Sequence, residues 1–573
     1  MKNLEISGIF KNIAKILEIK GDNPFRIRAY ERAGQLIEGM TEDIIEFANK
    51  DKLMDLPGIG RDLAAKIKEI IMTGKLKFYE NLKKQIPKGF LEILDIPSVG
   101  PKTAKLLLDT LKIKDVADLE KAARSGKLLG LPNIKEKTVE NILKGIELIK
   151  KGKERMNLAT AIAVSEEFTR VLGKLPIVKK ISVAGSLRRM KETVRDIDIL
   201  VISTHPQKVM DVFTKIASVK DVQAKGPTKS SVLTLDDIQV DVRVVESKSF
   251  GAAILYFTGS KNFNIKLRQM AIRKKLKINE YGVFSVKGKK ETFVAGRSED
   301  EIFKLLGLDY IEPELREDTG EIELAARKAL PHLVEISDIK GDLHAHSEWS
   351  DGRNSISEMA NAAKGKGYAY IAITDHSQGL KIAGGLSISD LRKKKQEIEK
   401  INKELKNIRI LYGTEVDIDS DGKLDYADKI LAEFDIVVAA IHSGFKQSSE
   451  QLTKRITRAC QNKYVHIIAH PTGRLWGTRD SYPLDFDKVF DVAKDTNTAL
   501  EINAFPNRLD LNDQNCRRAK EKGVRLAVGT DSHSTEHLDS MSLGVSVARR
   551  GWLEKQDLLN TLSTEELLMK IKK

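Results

Sequence analysis

Gly185-Ser186-Leu187-Arg188-Arg189, followed closely by Asp196-Ile197-Asp198, is the stretch that decides how this 573-residue chain is read. Asp196 and Asp198 alternate with Ile197, Ile199 and Val201. On a strand, side chains point to opposite faces in turn, so both carboxylates share one face and the apolar residues the other. Neighbouring carboxylates repel, and such a face calls for a cation between them. Further on, Gln239, Asp241 and Arg243 alternate with Ile238, Val240, Val242 and Val244, a second strand with one polar face. Three carboxylates on neighbouring strands can hold two Mg²⁺ or Mn²⁺ ions, which take hard oxygen ligands. Such a pair of ions clamps the attacking and leaving oxygens of a phosphoryl transfer. Gly185 and Ser186 supply a tight turn whose N–H groups can meet a triphosphate, with Arg188 or Arg189 adding charge. Each piece alone has a plainer reading, as a turn or an exposed strand end; in this order they point to nucleotidyl transfer.

The surrounding chain sets bounds on that reading. Its length exceeds what one hydrophobic core serves, so two to four domains are expected. No apolar run approaches the roughly 20 residues of a membrane helix. Leu4, Ile9, Ile13, Ile16 and Leu17 recur among lysines and glutamates, which predicts an amphipathic helix at the N-terminus and not a secretion signal. Two cysteines, Cys460 and Cys516, make no disulfide framework and suit packing in a reducing cytoplasm. A formal charge of +15 suggests a polyanionic partner.

Upstream, Leu56-Pro57-Gly58-Ile59-Gly60 leads into the helical Ala64-Ala65-Lys66-Ile67, and Ile96-Pro97-Ser98-Val99-Gly100-Pro101-Lys102 is a near-copy. Leu131-Pro132-Asn133-Ile134 is a weaker echo without the glycines. These resemble helix-hairpin-helix motifs. Gly58, Gly60 and Gly100 let backbone approach a phosphate, and the next helix offers its free N–H groups, with Lys102 beside them. Such a device grips DNA without reading bases. In this motif carbonyls near Leu56 and Ile59, and Ile96 and Val99, often hold Na⁺ or K⁺ as well.

The palm pattern resembles the nucleotidyltransferase superfamily, and Tyr256-Phe257-Thr258-Gly259-Ser260 narrows the resemblance to family X DNA polymerases. It implies that Gly185, Ser186 and Arg189 meet the incoming nucleotide's phosphates and that Tyr256 and Phe257 lie against its sugar. Gly259 would allow close approach, Asn264 would contact the base and Arg268 the template side. Lys261 departs from the animal enzymes, which have an acid there. By the same resemblance, Lys66 stands where repair members form a Schiff base with deoxyribose phosphate; a charge contact to phosphate is the plainer role. Strands are expected over Ile181–Ala184, Ile197–Ile202 and Val232–Val245, and a strand-rich thumb reaches about residue 316. The charged stretch from Glu314 to Asp338 reads as a linker with a helix.

Beyond residue 339 short apolar strands alternate with helical stretches, as in a β/α barrel. Six of the ten histidines (His344, His346, His376, His442, His470 and His533) fall at strand ends together with Asp351, Glu415 and Asp531. Barrel active sites gather at those ends. Nine such ligands exceed one ion's needs, so two or three metals are expected, and mixed imidazole and carboxylate donors suit Mn²⁺, Zn²⁺ or Fe²⁺. The pattern H-x-H, T-D-H, H-P, D-S-H resembles the polymerase and histidinol phosphatase (PHP) domain, with all nine of its ligand positions filled. In that resemblance Arg474 is a candidate to hold a substrate phosphate, with a surface salt bridge as the alternative.

The expected whole is a multidomain α and α/β protein. It comprises a helical DNA-binding region (1–85), a fingers-like second helix-hairpin-helix region (86–150), a palm of mixed sheet and helices (151–260) and a thumb (261–316). A linker (317–338) and a distorted (β/α)7 barrel (339–573) follow. The resemblance to the bacterial and archaeal PolX type spans nearly the whole chain. It implies gap-filling DNA repair synthesis from deoxynucleoside triphosphates on gapped or nicked duplex, by a monomer in the nucleoid. The barrel would act as a 3′–5′ exonuclease, with 3′-phosphatase and abasic-site cleavage as further actions. Two rivals are a non-catalytic DNA-end scaffold and a small-molecule phosphatase with a DNA-binding appendage.

Overall fold

The computed structural model describes residues 2–39, 44–49, 51–56, 58–87, 89–94, 96, 99–132, 134–288 and 290–572. Pro57, Pro97, Ser98 and Asn133 of the helix-hairpin-helix readings lie outside the described residues. The chain forms two compact units, one of residues 1–153 with Gly477–Asp480, the other of Glu154–Trp476 with Ser481–Lys573.

The first unit is helical. The apolar stripe foreseen near the N-terminus becomes α1 (Lys2–Lys20), which buries Phe10, Ile13 and Leu17 against Tyr30 and Ile37 of α2 (Pro24–Gly39) and Ile67 and Ile70 of α3 (Arg61–Thr73). A second cluster gathers Ala104 and Leu107 of α4 (Pro101–Leu111) with Leu119, Ile142 and Ile146.

The second unit opens with the palm. Five strands, β1 (Val178–Val183), β2 (Asp196–Ser203), β3 (Val219–Lys225), β4 (Lys229–Thr234) and β5 (Gln239–Val245), lie in the order β1-β2-β5-β4-β3. Only the β2–β5 pair is parallel. The period-two pattern sends Ile197, Ile199, Val201, Val240 and Val242 into the core, where Phe168, Leu172 and Phe213 cover them. The run Val232–Val245, read as one strand, is instead a hairpin of β4 and β5. Asp236 and Asp237 turn it, Asp237 with φ of 60°, because short polar side chains tolerate the left-handed region that a tight turn needs.

The thumb adds helices α5 (Phe250–Thr258) and α6 (Lys261–Arg273), three strands, and α7 (Glu299–Leu306). The segment read as a linker is packed. Leu315, Arg316, Glu321, Ile322 and Ala325 are buried, and Glu321 accepts hydrogen bonds of 2.7 Å from the N–H groups of Asp318 and Thr319. What makes its charges foldable is pairing. Glu299 meets Arg188 at 2.6 Å and also Arg316, and Tyr310 donates to it at 3.1 Å. Burial pushes the Glu299 carboxyl up, but Arg188 and Arg316 hold it down at about 2. Replacing Glu299 by alanine leaves two arginines unpaired in the interior and should cost about 3–5 kcal/mol, read as a shift of the denaturation midpoint. The sign with pH follows from a folded value below the ordinary 4.5: this stabilisation is present above 4.5 and lost as pH falls through about 2.

The barrel has seven strands, all parallel and neighbours in chain order: β6 (Gly341–Ala345), β7 (Tyr370–Ile373), β8 (Arg409–Asp417), β9 (Ile436–Ala440), β10 (Ile467–Ile468), β11 (Ala499–Asn503) and β12 (Leu526–Gly529). A bridge from Ala345 to Ser532 brings the last strand's end back to the first. Side-chain ties join barrel and palm within this unit. Arg474 pairs with Glu192 at 2.9 Å, Asn157 donates to Asn507 at 2.9 Å, and Arg550 reaches the Arg189 carbonyl at 2.7 Å. Cys460 and Cys516 are buried, and neither forms a disulfide among the described residues. Among the described residues no helix is long and apolar enough to cross a membrane.

Candidate active sites

In the palm, the parallel register sets Asp198 directly opposite Asp241 and Asp196 opposite Gln239. The three carboxylates therefore converge from two adjacent strands. Burial pushes the Asp198 carboxyl up to about 6, with Asp196 and Asp241 adding repulsion. Arg243 and Lys229 oppose the shift without cancelling it; Lys229 lies 3.8 Å from Asp241, and Arg195 3.5 Å from Asp196. An all-oxygen donor set in which Asp198 is costly to ionise fits hard divalent cations.

Beside it, Gly185 sits with φ of 64°, and a Cβ there would fall 2.8 Å from an Asp198 oxygen. Only glycine suits that place. Gly185 and Ser186 begin the single-turn helix Gly185–Arg188 that follows β1. The two arginines expected to add charge at this turn are committed elsewhere. Arg188 binds Glu299 and donates to Thr258 Oγ1 at 2.8 Å; Arg189 binds Glu317 at 3.0 Å and the Thr258 carbonyl. Tyr256 and Phe257 stand edge to face, 5.2 Å between centroids, and the Arg243 guanidinium lies 4.5 Å above Phe257. Gly259 (φ 70°) passes close to Arg189. Asn264 donates to the Tyr256 carbonyl at 2.7 Å, and Arg268 to the Asn264 carbonyl at 3.2 Å.

The two glycine turns of the helical unit are hydrogen-bonded alike: Ile59 N–H reaches Leu56, and Val99 N–H reaches Ile96, both at 3.0 Å. Gly58 has φ of 80° and open space where a side chain would be, while Gly60 and Gly100 cap α3 and α4. Lys102 is exposed in the first turn of α4. Lys66 pairs with Asp62 and lies 5.3 Å from the Phe78 ring and 5.8 Å from Tyr30. A carboxylate and two aromatic faces thus surround the Lys66 side chain.

The barrel brings all nine of its foreseen residues together. Ligand atoms of His346, Asp351, His376 and His533 form one group within 4.8 Å; His344, His346 and Asp531 form a second; His376, Glu415 and His442 form a third. His470 joins through Glu415, 2.9 Å from its Nε2. His344 and His346 present Nε2 to Nε2 at 3.2 Å, His376 Nδ1 meets Glu415 Oε2 at 2.9 Å, and buried His346 Nδ1 and His470 Nδ1 have no hydrogen-bond partner. Burial pushes His346 down to about 4 and His470 to about 3, so both rings keep free lone pairs. Burial also opposes charge on His376, yet Glu415 and Asp351 carry it up to about 10. So many imidazole nitrogens and carboxylates converging in a buried space fit metal ions. His470 (φ 28°) and Asp531 (φ 54°) hold strained backbone to reach the group.

Residues not foreseen hold these ligands in place. Glu501 meets His344 Nδ1 at 2.6 Å and accepts from His470 N–H at 2.6 Å; Asp417 meets His442 Nδ1 at 3.1 Å. Asn503 and Arg508 both contact Asp531, at 3.1 and 3.2 Å. Buried Lys394 pairs with Asp375 at 2.8 Å, and Asp375 in turn accepts from Ser347 and Ser350. Such outer partners fix ring orientation and tautomer. The signal was there for Glu501 and Asn503, which alternate along a strand already identified, and for Asp417, two places beyond Glu415. Arg474, the candidate phosphate contact, donates to the carbonyls of Arg508 and Leu509 and pairs with Glu192. Arg508 is the arginine at the ligands.

A three-carboxylate palm with a thumb, joined to a metal-ligand barrel and preceded by helix-hairpin-helix turns, defines a nucleotidyltransferase with a phosphoesterase domain. Family descriptions match accordingly: a helix-hairpin-helix domain at residues 1–76, a SAM-like helix-hairpin-helix tandem at 90–147, the DNA polymerase beta thumb at 253–317 and the PHP domain at 342–504. The chain is 42% identical over 570 residues, 99% of each protein, to the DNA polymerase/3′-5′ exonuclease PolX of Bacillus subtilis. It belongs to the PolX family of DNA polymerases. The barrel region also resembles a probable phosphatase of Thermoanaerobacter sp. strain X514, 33% identical over 231 residues, 38% of this chain and 89% of that protein. A second probable phosphatase, from Caldanaerobacter subterraneus, is 36% identical over 203 residues, 34% of this chain and 75% of its own length. These domains imply DNA binding and the use of divalent metal.

Proposed function

We propose that this chain fills short gaps in DNA at Asp196, Asp198 and Asp241 and trims 3′ ends at its barrel centre. The observation that carries the first half is the Asp198–Asp241 register beside Gly185. For the second half it is the gathering of nine imidazole and carboxylate residues, with buried ring nitrogens of His346 and His470 left without a hydrogen-bond partner.

In the palm, two Mg²⁺ or Mn²⁺ ions would supply charge neutralisation for the triphosphate and the primer oxygen. The three aspartates hold and orient them. Gly185 leaves room beside Asp198, and the N–H groups at Ser186 face the phosphates of a deoxynucleoside triphosphate. Tyr256 and Phe257 offer a rigid flat wall to its sugar, and Gly259 keeps backbone close without a side chain. Asn264 and Arg268 reach base and template after releasing the carbonyls they now hold, and Arg189 reaches the phosphates after releasing Glu317.

In the barrel, Mn²⁺, Zn²⁺ or Fe²⁺ at His344, His346, Asp351, His376, Glu415, His442, His470, Asp531 and His533 would activate water against a phosphoester. Glu501 and Asp417 hold rings of His344 and His442, and Arg508 lends positive charge next to Asp531. Likeness to two probable phosphatases supports a phosphomonoester substrate too, so removal of a 3′-phosphate joins 3′–5′ exonuclease action.

The chain would work as a monomer in the cytoplasm. Gly58, Gly60 and Gly100 with Lys102 would take backbone phosphates, with Na⁺ or K⁺ at the turn carbonyls. Lys102→Ala should then weaken binding evenly across sequences and lower the log–log salt slope by about 1. The decisive assay offers a gapped duplex with a 3′-phosphate plus Mn²⁺ and nucleotides: phosphate loss followed by extension supports both halves. Inertness on DNA with turnover of small phosphomonoesters overturns them.

A further inference from the structure

The hairpin after β8 and the helix Ser449–Gln461 enclose a cavity of about 340 Å³ lined by Lys423, Lys454, Arg455 and Arg458 against one carboxylate, Asp421. Neither Lys423 nor Lys454 pairs with a carboxylate among the described residues. Lys454 and Arg458 stand one helical turn apart, so both face the hairpin. Arg455 is buried: it donates to the Ser443 carbonyl at 3.0 Å, to Gln447 at 2.8 Å and to the Ile418 carbonyl, while its Nε has no partner. Gly422 (φ 83°) lets the hairpin close on the helix, since a Cβ there would lie 3.1 Å from Arg455 and Arg458. The pocket is anchored to the rim of the metal-ligand group: Ser443 follows His442, and Ile418 follows Asp417, the partner of His442.

Arg458 donates to the Asp421 carbonyl at 3.1 Å, and none of the four cations has an ion pair among the described residues; around one carboxylate and a buried arginine they form a receptor for an anion of phosphate size. We propose that this cavity holds a backbone phosphodiester of the DNA strand whose 3′ end lies at the histidine–carboxylate centre. The inference rests on the nuclease reading above. It assigns strand-holding at the barrel to residues apart from the ligands and from Arg508.

The test uses the full chain loaded with Mn²⁺ and a Lys423→Ala/Lys454→Ala variant, both positions being exposed. Exonuclease KM for a single-stranded 20-mer should rise on the order of tenfold with kcat kept. The salt slope of that KM should flatten by about 0.7 for one phosphate lost. Hydrolysis of bis-p-nitrophenyl phosphate, too small to reach the cavity, and gap filling should be unchanged. An unaltered KM for DNA would sink the subsite alone, as would a change confined to inhibition by free phosphate. An equal loss on the small diester would do the same, because it would mean a damaged centre. Failure of the native chain to cut DNA would remove the nuclease reading and this inference together.

Discussion

Asp241→Asn should all but abolish nucleotide addition while leaving 3′–5′ exonuclease activity at its native rate. The carboxylate lies opposite Asp198 on the adjacent parallel strand, so its loss removes a donor shared by the whole palm site. Metal charge at a transferring phosphoryl group is worth several kcal/mol, which puts the expected fall on the order of 10³-fold or more. The amide keeps size and hydrogen bonding to Gln239, so folding should survive. Single-nucleotide insertion on a gapped duplex checks the first half, and digestion of a labelled single strand without nucleotides the second. Simultaneous loss of both would mean that the centres are not independent.

His346→Ala is the mirror experiment. Its ring belongs to two of the three ligand groups, touching Asp531 at 3.3 Å and Glu415 at 3.5 Å. One truncation therefore empties two groups of a donor. Exonuclease activity should fall on the order of 10³-fold, and barrel-bound metal, measured by elemental analysis of the purified chain, should drop by at least one ion. Gap filling should persist. Full metal content with native exonuclease activity would contradict the assignment of the cluster.

How much of this was visible in the chain depends on how local the cause is. The aspartates announced themselves because strand alternation is a period of two, and their opposition needed only that β2 and β5 be neighbours. The barrel ligands were legible because strand ends are where such folds gather function, and histidines are scarce enough that six at those ends stand out. What stayed hidden was set by long-range pairing. Nothing near Arg188 predicts that it folds onto Glu299, 111 residues away, or that Arg316 joins them. So a packed segment looked like a charged linker. Arg474 was a natural candidate because it follows His470 closely, yet where an arginine side chain ends is decided by the loop that meets it. Here that loop carries Arg508 and Leu509, and it is Arg508 that faces Asp531. The hairpin of β4 and β5 has a smaller cause: two aspartates suffice to turn the chain between two apolar runs.

Arg474 on Glu192, Asn157 on Asn507 and Arg550 on the Arg189 carbonyl fasten synthesis and trimming machinery into one block. With those ties in place, a mispaired primer terminus would have to travel from one centre to the other, melting free of its template on the way. The stability of the last few base pairs would then set the choice between extension and removal.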